Sequence, residues 1–321
     1  MIPTIKYYKM EAWMTLWLSV RELSKEFNGI KAVDNVSFEV CQGEVLGFLG
    51  PNGAGKSTTM RMITGFLPCD SGSINVCGYN IKTDAIAAQK LIGYLPEGGP
   101  LYNDMTPNSF LRFIGRSRGI NDKKLIERLD YVVEVLHLEQ VFYQTIDTLS
   151  KGFKRRVALA QAILHNPKML ILDEPTDGLD PNQKYEVQQL IKAMAKDKSI
   201  IISTHILEEV EAVCTKAMII AKGKILLSGT PEELARHSPH HNSVVVTFDN
   251  EPTEQMMNAF LNLDNVNDVK ANNDNNIVIT PKAGQIILAD VNKIVHMMNW
   301  PVSEIYSKPG QLRDAFRKIT N

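Results

Sequence analysis

Three features are scarce in this 321-residue sequence, and each scarcity excludes a class of protein. No run approaches the roughly 18 to 20 consecutive apolar residues that a membrane-spanning helix requires. The four cysteines are scattered and form no C-x-x-C pair, which argues against a structural zinc site and a disulfide framework and fits a reducing cytosol. Lysine plus arginine (35) nearly balances aspartate plus glutamate (36), so the basic excess of a dedicated nucleic-acid-binding protein is missing. With 44% hydrophobic residues, the chain has the composition of a globular protein of about two domains.

The first thirteen residues, MIPTIKYYKMEAW, stand apart from the rest of the pattern. Their apolar run is short, is interrupted by Glu11 and lacks a small-residue cleavage site, so we do not expect a signal peptide. The following stretch, MTLWLSVREL, begins with Met14 and has the pattern of an edge strand. We expect residues 1–13 to be a loose tail, or to result from a start codon upstream of the functional one at Met14.

Apolar runs of strand length recur through the first two thirds of the chain and alternate with helical patterns. They lie at Val45–Leu49, 169–172, 199–203 and 217–220. This alternation is typical of a mostly parallel sheet with helices on its faces. Residues 106–165 are helical in pattern, with Thr106 and Pro107 as cap and first-turn residue. We predict an α/β domain over residues 14–238, with a helical insertion at about residues 104–165.

The last helix of this domain starts at the capping-box pair Thr230 and Glu233 and runs into HSPHHNS, where the composition changes. Beyond that point, strand and helix patterns alternate at residues 244–248, 254–263, 266–270, 276–280, 285–298 and 302–306. This order predicts a small α+β domain of the ferredoxin-like βαββαβ type over residues 239–321, closed by a further helix. It carries no catalytic cluster, so we expect a regulatory or dimer-supporting role.

A glycine-rich segment follows the strand at Val45–Leu49 and precedes a helical pattern. It consists of Gly50, Pro51, Asn52, Gly53, Ala54, Gly55, Lys56 and Ser57, followed by Thr58. The segment matches G-x-x-x-x-G-K-[ST] in the strand-loop-helix context of a phosphate-binding P-loop, which a ligand-free glycine turn would match only by coincidence. Glycines let the backbone wrap a phosphate, and we expect Lys56 to meet the outer phosphates and Ser57 to ligate Mg²⁺.

Polar side chains follow two further strands. Asp173 and Glu174 end the buried run at 169–172, which places both carboxylates at the carboxyl edge of the sheet beside the P-loop. Asp173 suits holding Mg²⁺ through water, and Glu174 suits orienting and deprotonating an attacking water. His205 follows the run at 199–203 and either reaches a terminal phosphate from there or is structural.

Taken together, these motifs resemble those of the ATP-binding cassette ATPases that power ABC transporters, over roughly residues 14–235. Besides the P-loop and the Asp173–Glu174 pair, Leu149–Ser150–Lys151–Gly152–Phe153 is similar to the family's signature loop, Gly178–Leu179–Asp180 to its D-loop, Thr204–His205 to its switch histidine and Phe27 to its adenine-stacking aromatic. The resemblance implies an α/β P-loop NTPase fold of ABC type that binds and hydrolyses Mg-ATP. It also implies a head-to-tail dimer in which the P-loop of one subunit and the signature loop of the other enclose each ATP, with Ser150 and Gly152 near the γ-phosphate and Asp180 near the same site.

Two positions depart from the family's pattern. The usual signature is LSGGQ, whereas this chain has LSKGF, with Lys151 and Phe153 at the third and fifth positions. Glu97 stands where the family usually places glutamine; a carboxylate can still ligate Mg²⁺, but it repels the γ-phosphate when no metal is bound.

A basic run follows the signature serine, at Lys151, Lys154, Arg155 and Arg156. Two interpretations are available, a solvated helix face and a nonspecific nucleic-acid patch. The solvated face is preferred because the chain has no basic excess, and Lys151 is the member expected nearest to phosphate.

Within the family, the LSKGF form, the LPE segment ending at Glu97 and the added C-terminal domain look most like exporter ATPases that pair with a separate permease, including those for drug efflux, polysaccharide export and gliding motility. The resemblance thus implies a homodimer or heterodimer of ATPase subunits held at the cytoplasmic side of the membrane by an integral-membrane permease, with no nucleic acid. An importer ATPase, or a soluble ABC-type ATPase that remodels ribosomes or nucleic acid, is the alternative.

Overall fold

The computed structural model describes residues 15–272 and 275–320. The tail predicted at residues 1–13 lies outside these ranges. The described residues form two compact units, which divide between Ser228 and Gly229. The helix that the sequence analysis assigned to the end of the first domain falls in the second unit, because it packs against the C-terminal helix through Leu234, Leu312 and Ala315, which are all buried.

The first unit contains both strands and helices. The strands are β1 (Leu16–Phe27), β2 (Ile30–Cys41), β3 (Val45–Leu49), β4 (Ser71–Val76), β5 (Tyr79–Asn80), β6 (Ile92–Leu95), β7 (Met169–Asp173), β8 (Ser199–Thr204), β9 (Lys216–Ala221) and β10 (Lys224–Gly229). The helices are α1 (Lys56–Ile63), α2 (Ala85–Lys90), α3 (Pro107–Ser117), α4 (Asp122–Val135), α5 (Lys151–Ile163), α6 (Pro181–Ala195) and α7 (Leu207–Val213), with 3₁₀ turns at Glu139–Val141 and Ile146–Thr148.

The central sheet of the first unit has the strand order β10-β9-β3-β8-β7-β6. Strand β3 pairs in parallel with β8 and β9, and β7 pairs in parallel with β6 and β8. All residues of β3, β7 and β8 are buried, which explains why these strands read as continuous apolar runs rather than as alternating ones. The parallel arrangement brings the carboxyl ends of β3, β6, β7 and β8 to one edge, as predicted.

A second, antiparallel sheet has the order β2-β1-β4-β5. The prediction that the strand starting near Met14 lies at a sheet edge is wrong. Strand β1 pairs with β2 on one side and with β4 on the other, and its apolar residues Leu18, Val20 and Leu23 are fully buried. Alternation shows that one face of a strand is buried, but it carries no information about how many neighbours the strand has.

The predicted helical insertion is present as α3, α4 and α5. Helix α3 begins at Thr106, whose side chain accepts from the Ser109 amide while the Ser109 hydroxyl accepts from the Thr106 amide. Pro107 occupies the first turn, where no amide hydrogen is needed. Leu125, Leu129 and Val132, which lie at helical spacing on one face of α4, are buried.

The second unit consists of α8 (Pro231–Ala235), β11 (Ser243–Phe248), α9 (Glu254–Leu261), β12 (Val266–Asn272), β13 (Asn276–Pro281), α10 (Leu288–Met297), β14 (Val302–Lys308) and α11 (Leu312–Thr320). Its strands form a sheet in the order β12-β13-β11-β14 with antiparallel pairing. The element order from β11 to β14 is the predicted βαββαβ. Among the described residues of the whole chain, no helix is long and apolar enough to cross a lipid bilayer.

Candidate nucleotide-binding site

The glycine-rich loop leaves β3 at Gly50 and enters α1 at Lys56. Gly55 has a φ of 104°, and a Cβ there would lie 2.4 Å from the carbonyl oxygen of Ala32. A Cβ at Gly50 would lie 2.3 Å from the carbonyl oxygen of Ile220. Both positions therefore require glycine for steric reasons, and the resulting loop presents its backbone at the amino end of a helix, where anions bind.

Lys56 is 6% exposed, and its ammonium donates to the carbonyl oxygens of Gly50 at 2.7 Å and Pro51 at 3.2 Å. Burial lowers the pKa of Lys56, and the carboxylates of Glu174, Asp173 and Glu97 oppose that lowering. The three carboxylates that were predicted to surround the phosphates therefore lie close enough to act on this ammonium. The hydrogen bonds from Lys56 to Gly50 and Pro51 also hold the loop around the ammonium.

Asp173 is the last residue of β7 and is 2% exposed. Glu174 follows it with a φ of 50°, a left-handed conformation that is uncommon for residues other than glycine. The Glu174 amide donates to the Ser203 carbonyl on the neighbouring strand at 2.9 Å, which helps to hold this conformation. Strained backbone of this kind is concentrated at functional sites, where the side chain must point in one required direction.

His205 lies at the end of β8, and its Nδ1 is 2.9 Å from Oε1 of Glu174. The Glu174 side chain is 12% exposed and that of His205 is 54% exposed. Burial raises the pKa of the Glu174 carboxyl, and the hydrogen bond with His205 acts in the opposite direction. The two residues predicted to be catalytic thus form a pair with a mostly buried carboxylate and an exposed imidazole.

The buried carboxylate of Glu209, which was not predicted, supports the Glu174–His205 pair through hydrogen bonds to nearby residues. Glu209 of α7 is 4% exposed and accepts from the hydroxyl of Thr204 at 2.8 Å and from the hydroxyl of Thr176. Thr204 immediately precedes His205, and Thr176 lies just after Glu174, so one carboxylate connects both loops. Nothing in the sequence indicated this role, because Thr176 and Thr204 follow or end two different strands and meet Glu209 only in the folded chain.

Glu97 is exposed and lies just beyond the end of β6, the strand beside β7. In the described ranges, no cluster of three or more His, Cys, Asp or Glu side chains is arranged to hold a metal alone. The predicted ligands, Ser57, Asp173 and Glu97, fit Mg²⁺ nonetheless, because this ion usually takes only one or two protein carboxylates and completes its shell with waters and phosphate oxygens.

The signature-like segment caps helix α5. Ser150 is exposed and its hydroxyl accepts from the Phe153 amide at 3.3 Å, so it is the N-cap of that helix. Asp180 caps α6 in the same way, accepting from the Gln183 amide at 2.9 Å. Gly152 lies against the Gln183 side chain, which places the signature-like and D-loop-like segments side by side within one chain. Both caps are therefore at the surface.

Phe27 ends β1 with 45% of its surface exposed. Its ring lies 5.5 Å from the Lys25 ammonium. Strand β2, which pairs with this end of β1, contributes Ala32, the residue whose carbonyl closely approaches Gly55. An exposed aromatic ring on the strand pair beside the P-loop is compatible with the predicted adenine contact.

The interpretation of the basic run as a solvated helix face is wrong for Arg155 and Arg156, which are 7% and 8% exposed. The Arg156 guanidinium donates to the Leu136 carbonyl at 3.2 Å and pairs with Glu186 at 2.7 Å. Helix α5 is buried on most of its circumference, so Arg155 and Arg156 point inward and find partners there, whereas Lys151 is exposed as expected. The spacing of charged residues along a helix does not show which of them are buried.

Arg155 is directed at the catalytic edge of the sheet. Its guanidinium donates to the carbonyl oxygens of Pro96 at 3.2 Å and Pro175 at 3.3 Å, and also to those of Asp173 and Glu174. Burial lowers the pKa of this guanidinium, and nearby carboxylates oppose the shift. One side chain therefore links the helix that starts at Ser150 to the backbone of both acidic strand ends.

Comparison with known proteins agrees with this geometry. A model of the family "ABC transporter" matches residues 33–177. The chain is 41% identical to an uncharacterized ABC transporter ATP-binding protein, YxlF of Bacillus subtilis (strain 168), over 68% of this chain and 72% of that protein. It is 31% identical to the Nod factor export ATP-binding protein I of Ralstonia nicotianae (strain ATCC BAA-1114 / GMI1000), over 94% of this chain and 93% of that protein. A solved structure of an ATP-binding subunit of an ABC transporter shares 30% identity with a TM-score of 0.64, covering 68% of this chain and 92% of the other. From the glycine-imposed phosphate loop, the acidic strand ends and these relatives together, we conclude that the chain belongs to the ABC transporter family of ATP-binding proteins.

Proposed function

We propose that this chain is the Mg-ATP-hydrolysing subunit of an exporter whose membrane-spanning permease is a separate protein. The observation that carries the proposal is the contact between Glu174 and His205 at the edge of the sheet where Lys56 is buried. A carboxylate aligned by an imidazole beside a phosphate-binding lysine is suited to directing water at a terminal phosphate.

The roles of the individual residues follow from their positions. The amides of the P-loop and the Lys56 ammonium hold the phosphates, and the ammonium must exchange its contacts with the Gly50 and Pro51 carbonyls for phosphate oxygens. Ser57, Asp173 and Glu97 hold Mg²⁺, which neutralises charge on the phosphates. Glu174 accepts the proton of the attacking water. His205 holds the Glu174 carboxylate through Nδ1 and has its remaining ring edge free to face the γ-phosphate.

We further propose that two such chains pair head to tail. Ser150 is the exposed N-cap of the helix that contains Gly152, and the N-terminus of a helix attracts anions. A second chain would supply the phosphate for this helix end. The partner is a second copy of this chain or a related ATPase subunit.

Export is supported by the relative named for Nod factor export, and pairing with a permease would place the chain at the cytoplasmic side of the membrane. That similarity extends over nearly the whole chain, including the C-terminal unit. The permease would supply the membrane-spanning helices that the described part of this chain lacks.

Three measurements test this function. The purified chain should release phosphate from ATP only with Mg²⁺ present, and Lys56→Ala should abolish the release.

The chain should move to the membrane fraction when it is co-expressed with a neighbouring gene product that has about six apolar spans. In inside-out vesicles that contain both proteins, ATP added outside should drive accumulation of the transported compound. Loss of a preloaded compound would instead identify an importer, and a chain that never enters the membrane fraction would identify a non-transport ATPase.

Glu97→Gln is expected to retain Mg-ATP binding and to change hydrolysis only modestly. The amide oxygen still offers the metal a ligand, and the repulsion between Glu97 and the γ-phosphate is removed. Affinity for ATP is measured by calorimetry with and without Mg²⁺, and the variant should gain affinity mainly in the metal-free titration. Abolished nucleotide binding would contradict the assigned role.

Arg155→Lys is expected to lower kcat about tenfold while leaving KM for ATP nearly unchanged, because Arg155 contacts the backbone behind Glu174 rather than the nucleotide. Lysine keeps the charge but loses the planar fork that reaches several carbonyls at once. Arg156→Lys is the matched control, since it lies on the same helix, is equally buried and pairs with Glu186 instead. Equal kcat in the two variants would mean that Arg155 only stabilises the fold.

A further inference from the structure

Among the described residues, no further strand pairs with the β14 edge of the sheet in the C-terminal unit. This strand is the last in the order β12-β13-β11-β14 and pairs only with β11 among the described strands. The pairing is regular from Glu304 to Lys308, with an irregularity just before it. Glu304, Tyr306 and Ser307 are exposed, and an open groove of about 640 Å³ between α10 and the start of β14 leaves that flank free. Unpaired backbone groups on such an edge can accept another strand.

The two charged side chains of β14 are Glu304 and Lys308. On the opposite edge, Asp268 and Lys270 of β12 pair with each other at 2.7 Å. Glu304 and Lys308 make no ion pair within the part of the chain that the structure describes. Because Ile305 packs on the hydrophobic core and side chains alternate along a strand, Glu304, Tyr306 and Lys308 share the opposite face of the sheet.

This spacing is self-complementary. In an antiparallel pair of identical strands related by a two-fold axis at Tyr306, residue 304 of one strand lies opposite residue 308 of the other, and the reverse pair forms at the same time. Each Glu304 then faces a Lys308, and the two Tyr306 rings meet at the axis. The regular segment from Glu304 to Lys308 is centred on the same residue, so it pairs along its whole length.

We propose that β14 is a dimerisation edge, at which a second copy of this chain pairs antiparallel about Tyr306 and joins the two C-terminal sheets into one. This contact requires no nucleotide. It is distinct from the ATP-dependent pairing of the cassettes, so either one can fail without the other. A homodimeric contact of this kind would keep two ATPase subunits together between rounds of hydrolysis.

The first test reverses the charges. The full-length chain without nucleotide is analysed by sedimentation over a range of concentrations, and a reversible dimer is expected. Glu304→Lys and Lys308→Glu should each weaken association about tenfold, because each turns two cross-strand attractions into repulsions. The double variant restores both pairs with their signs exchanged and should return to the original affinity. A chain that stays monomeric at all concentrations, or a double variant no tighter than the single ones, would overturn the proposal; in that case, capture of β14 by the permease would explain the open edge.

The second test reads the register. Tyr306→Cys should form an intermolecular disulfide under mild oxidation, because residue 306 lies opposite itself across the axis. Ser303→Cys, on the same exposed strand, is the matched control, since its two copies would lie about 20 Å apart in this register. The unaltered chain controls for the native cysteines, of which Cys41 and Cys214 are buried. Equal cross-linking of both variants would rule out the Tyr306 axis.

Discussion

Glu174→Gln is expected to reduce ATP hydrolysis by about 10² to 10⁴-fold while leaving Mg-ATP binding intact. The substitution keeps the size of the side chain and its contact with His205, but it removes the group that takes the proton from water. Lys56, Ser57 and Asp173 remain to hold the nucleotide. Phosphate release and equilibrium ATP binding, measured on the same preparation, separate the two effects.

The same variant should form a nucleotide-dependent dimer of the cassettes. With ATP bound and uncleaved, the composite sites stay occupied, so the population of dimer should rise with Mg-ATP and fall with ADP. The measurement is made in the Lys308→Glu background, in which association through β14 is expected to be about tenfold weaker, and at concentrations where this variant without nucleotide is monomeric. Hydrolysis near the parent rate would exclude Glu174 as the base. A variant that shows no ATP-dependent association even with the permease present would exclude the sandwich.

Mixing two inactive variants should restore activity if each site is built from two chains. Lys56→Ala removes the phosphate contact of the P-loop, and Ser150→Arg blocks the partner's phosphate at the signature loop. Each variant alone forms dimers without an intact site. In a mixture, half of the dimers are heterodimers and each holds one intact site, so about a quarter of the parental hydrolysis rate is expected.

A chain that carries both changes is the control for that mixture. When this double variant is mixed with the Lys56→Ala single variant, no site has an intact P-loop. No hydrolysis should therefore be recovered. Both single variants must first show an unchanged helical content by circular dichroism, since Lys56 also bonds the loop that surrounds it. Activity of Ser150→Arg on its own would contradict a trans site, and absence of recovery would point to a different chain as the partner.

The sequence by itself determined the secondary-structure elements and the order in which the site residues follow one another along the chain. Strands β3, β7 and β8 were visible because both of their faces are buried, which leaves uninterrupted apolar runs. The P-loop was visible because Gly50 and Gly55 are required by close backbone contacts, so the motif records a local steric demand. The βαββαβ order of the C-terminal unit was likewise encoded in local periodicity.

Only the tertiary structure decided which residues support the site and where each strand lies in its sheet. Arg155 and Glu209 hold the loops around Glu174 and His205, but Arg155 does so through the Glu174 carbonyl, 19 residues away, and Glu209 through the Thr176 hydroxyl, 33 residues away. The interior position of β1 and the open edge at β14 depend on which strands come to lie beside them. The periodicity of apolar residues shows which face of a helix or strand is buried. Which neighbouring element buries that face is set by contacts between distant segments of the chain. Such contacts leave no local pattern in the sequence.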